Sequence, residues 1–316
     1  MKIIKITENS GIPKYKQIVG SIEDAIVKRM LKKGDKLPSL NSIKHQHALS
    51  RDTVLTAFNK LKTRGIVQSI VGKGYYVISE DIDVNQKIFL LFDELNSFKE
   101  DLYNSFLAGL GASVQVDIFF HHFNLEVFNK LINDKVGDYS YYVIMPANLK
   151  GAETVIKRLP NDKVYILDQM PSELMEYPSI YQNFKKDIYE GLLAGHKQIK
   201  NYKKAILLYD KERQPLGILE GFNLFCNNYA IQNEVIETLS NRVLSKGELY
   251  ILLDDKNLIR IIKRTKEQNF KLVKDLGIIS YNDTLLKEVV EGGVTTISTD
   301  FTIMGERLAK MILNKE

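Results

Sequence analysis

Apolar residues recur at every fourth position early in the chain. Ile18, Ile22, Ile26 and Met30 form one stripe, widened by Val19 and Ala25, and predict an amphipathic helix over 15–31. Gly34-Asp35 closes it. Ser39, after Lys36-Leu37-Pro38, is placed to cap a short second helix ending at Ala48. Ser50 is placed to cap a third over 51–63, with Val54, Ala57, Phe58 and Leu61 on one face and Gly65 as its stop. The rhythm then turns β-like: runs at 66–71 and 75–78 flank Gly72-Lys73-Gly74, a hairpin signal with a glycine-permitted turn. Three helices and a two-stranded wing are the layout of an α+β winged helix-turn-helix, here over 1–79. Its third helix would enter the major groove of double-stranded DNA while the wing tip approaches the backbone or minor groove.

Residues 80–86 are polar and read as a linker. Beyond them short apolar runs at 88–92, 114–120, 141–145, 164–167, 205–208, 250–253 and 276–279 alternate with amphipathic stretches at 100–110, 125–132, 188–199 and 258–266. Strands buried on both faces and alternating with helices predict parallel α/β sheets. Seven such units are generous for one sheet, so residues 87–316 are expected to form two lobes with a cleft between them.

A chain of 316 residues, 44% hydrophobic and 26% charged, is long enough for two or three folding units with real cores. The net charge of +5 conceals a split. Residues 1–80 hold 15 Lys and Arg against 6 Asp and Glu, whereas the remainder is mildly acidic. Only the first module is therefore expected to meet a polyanion. No apolar run approaches bilayer-spanning length, and the N-terminal segment lacks the apolar core of a signal peptide. The single cysteine, Cys226, makes no intrachain disulfide, so the cytoplasm is the expected compartment and no membrane partner is expected.

The first 79 residues resemble the DNA-binding domain of the GntR family of regulators. The resemblance rests on Pro13-Lys14-Tyr15-Lys16-Gln17-Ile18, Gly34-Asp35-Lys36-Leu37-Pro38-Ser39, Leu49-Ser50-Arg51-Asp52-Thr53-Val54, Gly65-Ile66-Val67 and Gly72-Lys73-Gly74-Tyr75-Tyr76-Val77. It implies a DNA-binding set of Ser39, Ser50, Arg51, Thr53, Gly72, Lys73 and Gly74. Arg51 has the planar fork that reads guanine, Ser50 can offer a backbone amide to a phosphate, and the wing glycines admit close approach with Lys73 supplying charge. Where the family usually has Glu-Arg after Leu-Pro-Ser, this chain has Leu40-Asn41, and Leu55 replaces a common arginine. A different operator preference follows.

The C-terminal part resembles the LacI-type, periplasmic-binding-protein-like sensor. Asp275-Leu276-Gly277-Ile278-Ile279-Ser280-Tyr281-Asn282-Asp283, Thr295-Thr296-Ile297, Met304-Gly305 and Glu220-Gly221-Phe222 carry that resemblance. In such a fold, polar groups at strand ends hydrogen-bond sugar hydroxyls and an aromatic ring covers the sugar face. The candidates for the ligand are Asp93, Glu94, Asn183, Phe184, Arg213, Asp254 and Asn282, with Asn148 and Asp168 also at strand ends. The family's sugar-binding arginine is replaced by Ile218, for which Arg213 is a candidate substitute.

No P-loop, Gly-x-Ser-x-Gly elbow or Rossmann glycine pattern occurs. The adjacent pair His121-His122 does not make a chelating helical face, and no cofactor lysine is recognisable. The expectation is a homodimeric transcription regulator, without catalysis, cofactor or metal, that binds operator DNA and a neutral monosaccharide. The rival expectation is a DNA-bound dimer whose C-terminal part serves protein interaction without a ligand.

Overall fold

The computed structural model describes residues 3–8, 10–80, 86–111, 114–240 and 242–316. Helices α1 (Lys14–Val27), α2 (Leu40–His47) and α3 (Arg51–Thr63) lead into an antiparallel hairpin of β1 (Val67–Ile70) and β2 (Gly74–Val77). The stripe of α1 packs Ile18, Ile22 and Ile26 against Val54, Phe58 and Leu61 of α3. This helix stops earlier than its stripe predicts. Arg29 turns left-handed (φ 55°), and the Met30 and Leu31 amides both return to the Ala25 carbonyl. Leu31 thereby enters the core while Met30 is left exposed. Residues 34–37 run alongside β2, with Val77 N donating to Asp35 O and Leu37 N to Tyr75 O, so the wing gains a third edge.

The linker expected over 80–86 falls mainly on residues 81–85, outside the described residues. β3 opens at Gln86. Lobe 1 is a parallel sheet in the order β4-β3-β5-β6-β7, built from β3 (Gln86–Phe92), β4 (Val114–Phe120), β5 (Tyr141–Ile144), β6 (Val164–Asp168) and β7 (Ser179–Tyr181). It carries α4 (Ser97–Leu110), α5 (Leu125–Lys135) and α6 (Ala152–Ile156). After Gln182 the chain passes into lobe 2. There α7 (Phe184–Ala194) and α8 (His196–Ile199) precede β8 (Lys204–Leu208), followed by α9 (Leu216–Asn228), β9 (Asn233–Ile236), β10 (Glu248–Leu252), α10 (Asp255–Glu267), β11 (Leu276–Tyr281), α11 (Leu285–Val289) and β12 (Thr295–Ile297). This second sheet is also parallel, ordered β12-β11-β10-β8-β9.

Residues 298–300 return the chain to lobe 1, where α12 (Phe301–Asn314) packs on α4. The two helices meet through glycines. A Cβ on Gly305 would lie 2.1 Å from Ser105 Oγ and 2.4 Å from Leu102 O, and one on Gly109 would lie 2.7 Å from Ala309 Cβ. Hydrophobic periodicity missed β7, β9 and β12, the last of which only the family resemblance placed. All three are edge strands of three or four residues with partly exposed side chains, so they show neither an apolar run nor a clean alternation.

Candidate functional site

The first candidate surface is the N-terminus of α3. Ser50 Oγ accepts from Thr53 N at 3.1 Å and lies 2.8 Å from the Thr53 hydroxyl, so cap and hydroxyl hold one another. Arg51, the first helical residue, is exposed, and its side chain makes no hydrogen bond or ion pair with the described residues, Asp52 included. Ser39 caps α2 through Ser42 N. The wing turn holds Gly72 and Gly74 at φ 72° and 109° with Lys73 exposed between them. Such angles are easily reached only without a Cβ. Lys36 is a further cation beside the wing: its stem lies against Gly74 and its ammonium sits 5.9 Å from the Tyr76 ring centre. Sequence reading passed over it because nothing local shows that 34–37 joins the wing.

The second is a cavity of about 500 Å³ between the lobes, at the C-terminal ends of both sheets. Of the seven expected ligand residues, Asp93, Glu94, Phe184, Arg213, Asp254 and Asn282 line it. Asn183 instead lines neighbouring surface hollows and caps α7 through Lys186 N. Asp254 borders the cavity, but Asn257 occupies both its oxygens, at 2.8 Å from the backbone amide and 2.7 Å from the side-chain amide. It is first of all the N-cap of α10. Glu94 and Arg213 bind each other across the cleft, Nη2 to Oε2 at 2.5 Å, with the guanidinium 5.0 Å from the Phe123 ring centre. Asn148 also bridges the lobes, donating to Gln214 O at 2.8 Å. These groups make the rim.

The floor is more buried. Asp93 pairs with Lys99, and both side chains are almost fully enclosed. Asp168 ends β6 in a left-handed conformation (φ 73°), accepts from Gln182 Nε2 at 2.5 Å, and has no cation within ion-pair distance among the described residues. Burial pushes its carboxyl above the ordinary carboxylate value. Asp93 adds to the shift, while Lys99 and the Gln182 hydrogen bond oppose it. Gln182 passes the contact on, accepting from Thr299 Oγ1 at 2.7 Å, so the floor is tied to both segments that join the lobes. On the lobe 2 side Asn282 (φ 61°) has a buried Oδ1 with no hydrogen-bond partner among the described residues. Lys287 lies beneath it, donating to the carbonyls of Tyr281 and Asn282 and pairing with Asp255 at 2.9 Å.

Lys99 and Lys287 escaped sequence reading. A signal existed for Lys99: it shares the buried stripe of α4 with Leu102, Phe106 and Leu110, where an unpaired lysine would be costly. His121, weighed as a metal ligand, is buried against Met145 O at 3.0 Å, and burial lowers its pKa. Ile218, at the family's arginine position, is buried in the core of lobe 2. Among the described residues no helix is long and apolar enough to cross a membrane.

A winged helix with an unengaged arginine at the start of its third helix, joined to a two-lobed parallel α/β unit with a cleft at the strand ends, defines a transcription regulator of the helix-turn-helix class. The family model described as bacterial regulatory proteins, gntR family, matches residues 14–77. The HTH-type transcriptional repressor YtrA of Bacillus subtilis is 30% identical over 115 residues, 36% of this chain and 85% of YtrA. The chain belongs to the gntR family. MngR, the mannosyl-D-glycerate transport/metabolism system repressor of Escherichia coli, is 39% identical over 90 residues, 28% of this chain and 35% of that protein. The fold beyond the winged helix is that of periplasmic-binding-protein-like regulators. The trehalose repressor of Escherichia coli superposes with a TM-score of 0.61 at 11% identity, covering 73% of this chain and 93% of that one. A LacI family transcriptional regulator from Lactobacillus casei with bound glucose gives 0.61 at 13% identity, with the same coverage.

Proposed function

We propose that this regulator is controlled by a small neutral sugar held in the inter-lobe cleft. In this reading the winged helix spans 1–79, 80–86 is a linker, and 87–316 binds effector and forms the dimer. The observation that carries it is the cleft floor: a buried carboxyl at Asp168 faces the same cavity as the buried side-chain carbonyl of Asn282, and among the described residues the first has no ion-pair partner and the second no hydrogen-bond partner. Two acceptors at the bottom of a cleft of sugar size suit the hydroxyl donors of a polyol. Phe184 lines the same cavity and offers an apolar face. Seven carboxyl side chains line the cavity against five cationic ones, and Lys99, Arg213 and Lys287 are each already paired with one of those carboxylates, which favours a neutral ligand over a phosphorylated one. The L. casei neighbour holds glucose, and a LacI family neighbour from Enterococcus faecium, TM-score 0.58 at 16% identity, holds ribose.

DNA binding by a cytoplasmic homodimer completes the proposal, one winged helix meeting each half of a near-palindromic operator. A thermal-shift panel of neutral monosaccharides and their phosphates tests the sensor. A ligand at a hundred times its Kd stabilises the folded chain by about 2.7 kcal/mol. A shift produced by phosphates alone would overturn the neutral-sugar reading. No shift with any sugar would favour the second reading, a DNA-bound dimer without ligand. That reading draws on Ile218 standing where the family has its sugar-binding arginine.

A further inference from the structure

The winged helix is seated directly on lobe 1. Lys16 of α1 has only 7% of its side chain exposed; its ammonium lies 2.9 Å from Asp138 Oδ2 and donates to Val136 O at 2.8 Å. Lys60 of α3 reaches the other oxygen of the same carboxylate at 3.3 Å, its ammonium 5.9 Å from the Tyr15 ring centre. One lobe 1 carboxylate therefore holds two helices of the DNA-binding module, including the one that starts at Arg51.

Two glycines show how close the surfaces come. Gly137, at φ 80°, has no room for a side chain: a Cβ there would stand 2.7 Å from Ile12 Cγ2 and 3.2 Å from Lys16 Cδ. Gly11, at φ 70°, faces lobe 1 in the same way, and its Cβ would fall 2.1 Å from Arg158 O. The 135–138 loop is itself fixed from below. Tyr142, fully buried in β5, accepts from Gly137 N at 2.7 Å and donates to Lys135 O at 3.0 Å. An unbroken series of contacts thus runs from the lobe 1 sheet through Tyr142, the loop and Asp138 to α1 and α3. Removing Asp138 would leave Lys16 enclosed without a counter-charge, which makes this carboxylate the contact to break.

We propose that this seat is a rigid joint, pinned by Asp138, so that the winged helix and lobe 1 move as one body. Closure of the cleft would then move lobe 2 relative to the DNA reader, and a ligand signal would reach DNA through what lobe 2 touches. That consequence rests on the ligand-responsive reading; the joint itself does not.

The joint is tested without DNA or ligand. Val71, at the wing tip and 99% exposed, is replaced by Cys in the full chain and labelled with a fluorophore for time-resolved anisotropy. The native Cys226 is buried and its thiol is pushed up to about 12, so it does not compete for the label. Apart from sub-nanosecond wobble of the dye, the joint requires one slow rotational decay, that of the whole assembly. Asp138→Lys should add a second decay several-fold faster, and combining it with Lys16→Glu and Lys60→Glu should remove that decay again. A fast decay already present in the parent protein, or an unchanged decay in Asp138→Lys, would overturn the joint. Carbodiimide treatment of the unaltered protein gives an independent reading, since it joins an amine to a carboxylate only in contact. Absence of a Lys16–Asp138 or Lys60–Asp138 cross-link in the peptide map would also count against it.

Discussion

At the scale of single residues, the proposed DNA contact and the proposed ligand contact can be tested separately, at Arg51 and at Asp168. Among the described residues the Arg51 side chain has no hydrogen-bond or ion-pair partner. If it reads a base, Arg51→Ala costs about 1–3 kcal/mol of specific affinity and relaxes preference at one position per half-site. Binding measured on operator variants checks this; equal weakening on every sequence would reassign Arg51 to a phosphate. Asp168 carries a pH signature. Its raised pKa, caused first by burial, means that the folded chain keeps a proton which the unfolded chain releases above about 3.8. Stability from this group is therefore present at low pH and is lost as pH rises towards the folded value. Asp168→Asn cannot lose a proton, so its melting temperature should gain on that of the parent as pH rises above about 4. A constant offset across that range would place the pH dependence elsewhere. The helix caps at Ser39 and Ser50 and the glycine turn at 72–74 were legible because they are local signals. Asp254 and Asn183 were assigned to the ligand from their strand-end positions, yet they cap α10 and α7. Strand ends in parallel α/β folds are also helix starts, and the same residue types serve both roles.

Among elements, the α4–α12 pair shows what a pattern can and cannot convey. Met304-Gly305 was recognisable as a family feature, but its physical reason, contact with Leu102 O and Ser105, spans two hundred residues and no local rule reveals it. Gly305→Ala gains about 1 kcal/mol of intrinsic helix propensity. It also forces a methyl against a backbone carbonyl, which a packed helix pair cannot relieve without separating. The net effect should be a destabilisation of about 1–3 kcal/mol in urea unfolding. A variant as stable as the parent would mean that the helices part at little cost. The rim and floor of the cleft divide along the same line. The strands that frame it were legible from their apolar runs, whereas the Gln182–Thr299 and Glu94–Arg213 contacts join residues more than a hundred positions apart.

For the whole molecule, the Glu94–Arg213 pair is a measure of how far the lobes are closed. Both side chains are partly exposed, so the bridge contributes at most about 1 kcal/mol and weakens with salt. Glu94→Arg should therefore open the rim without unfolding either lobe. Amide hydrogen exchange in 210–214 should speed up, and the Glu94→Arg, Arg213→Glu pair should slow it again. Exchange insensitive to both changes would mean that the pair does not hold the cleft. One feature of the topology reaches beyond the finished molecule. Lobe 2 is continuous in sequence, but lobe 1 lacks Phe301, Met304, Leu308 and Ile312 until α12 lies on α4. On the ribosome the winged helix, made first, can fold while the protein beneath it still waits for its last turns of helix. The winged helix can thus be complete in the nascent chain well before lobe 1, whose core closes only when residues 301–314 arrive.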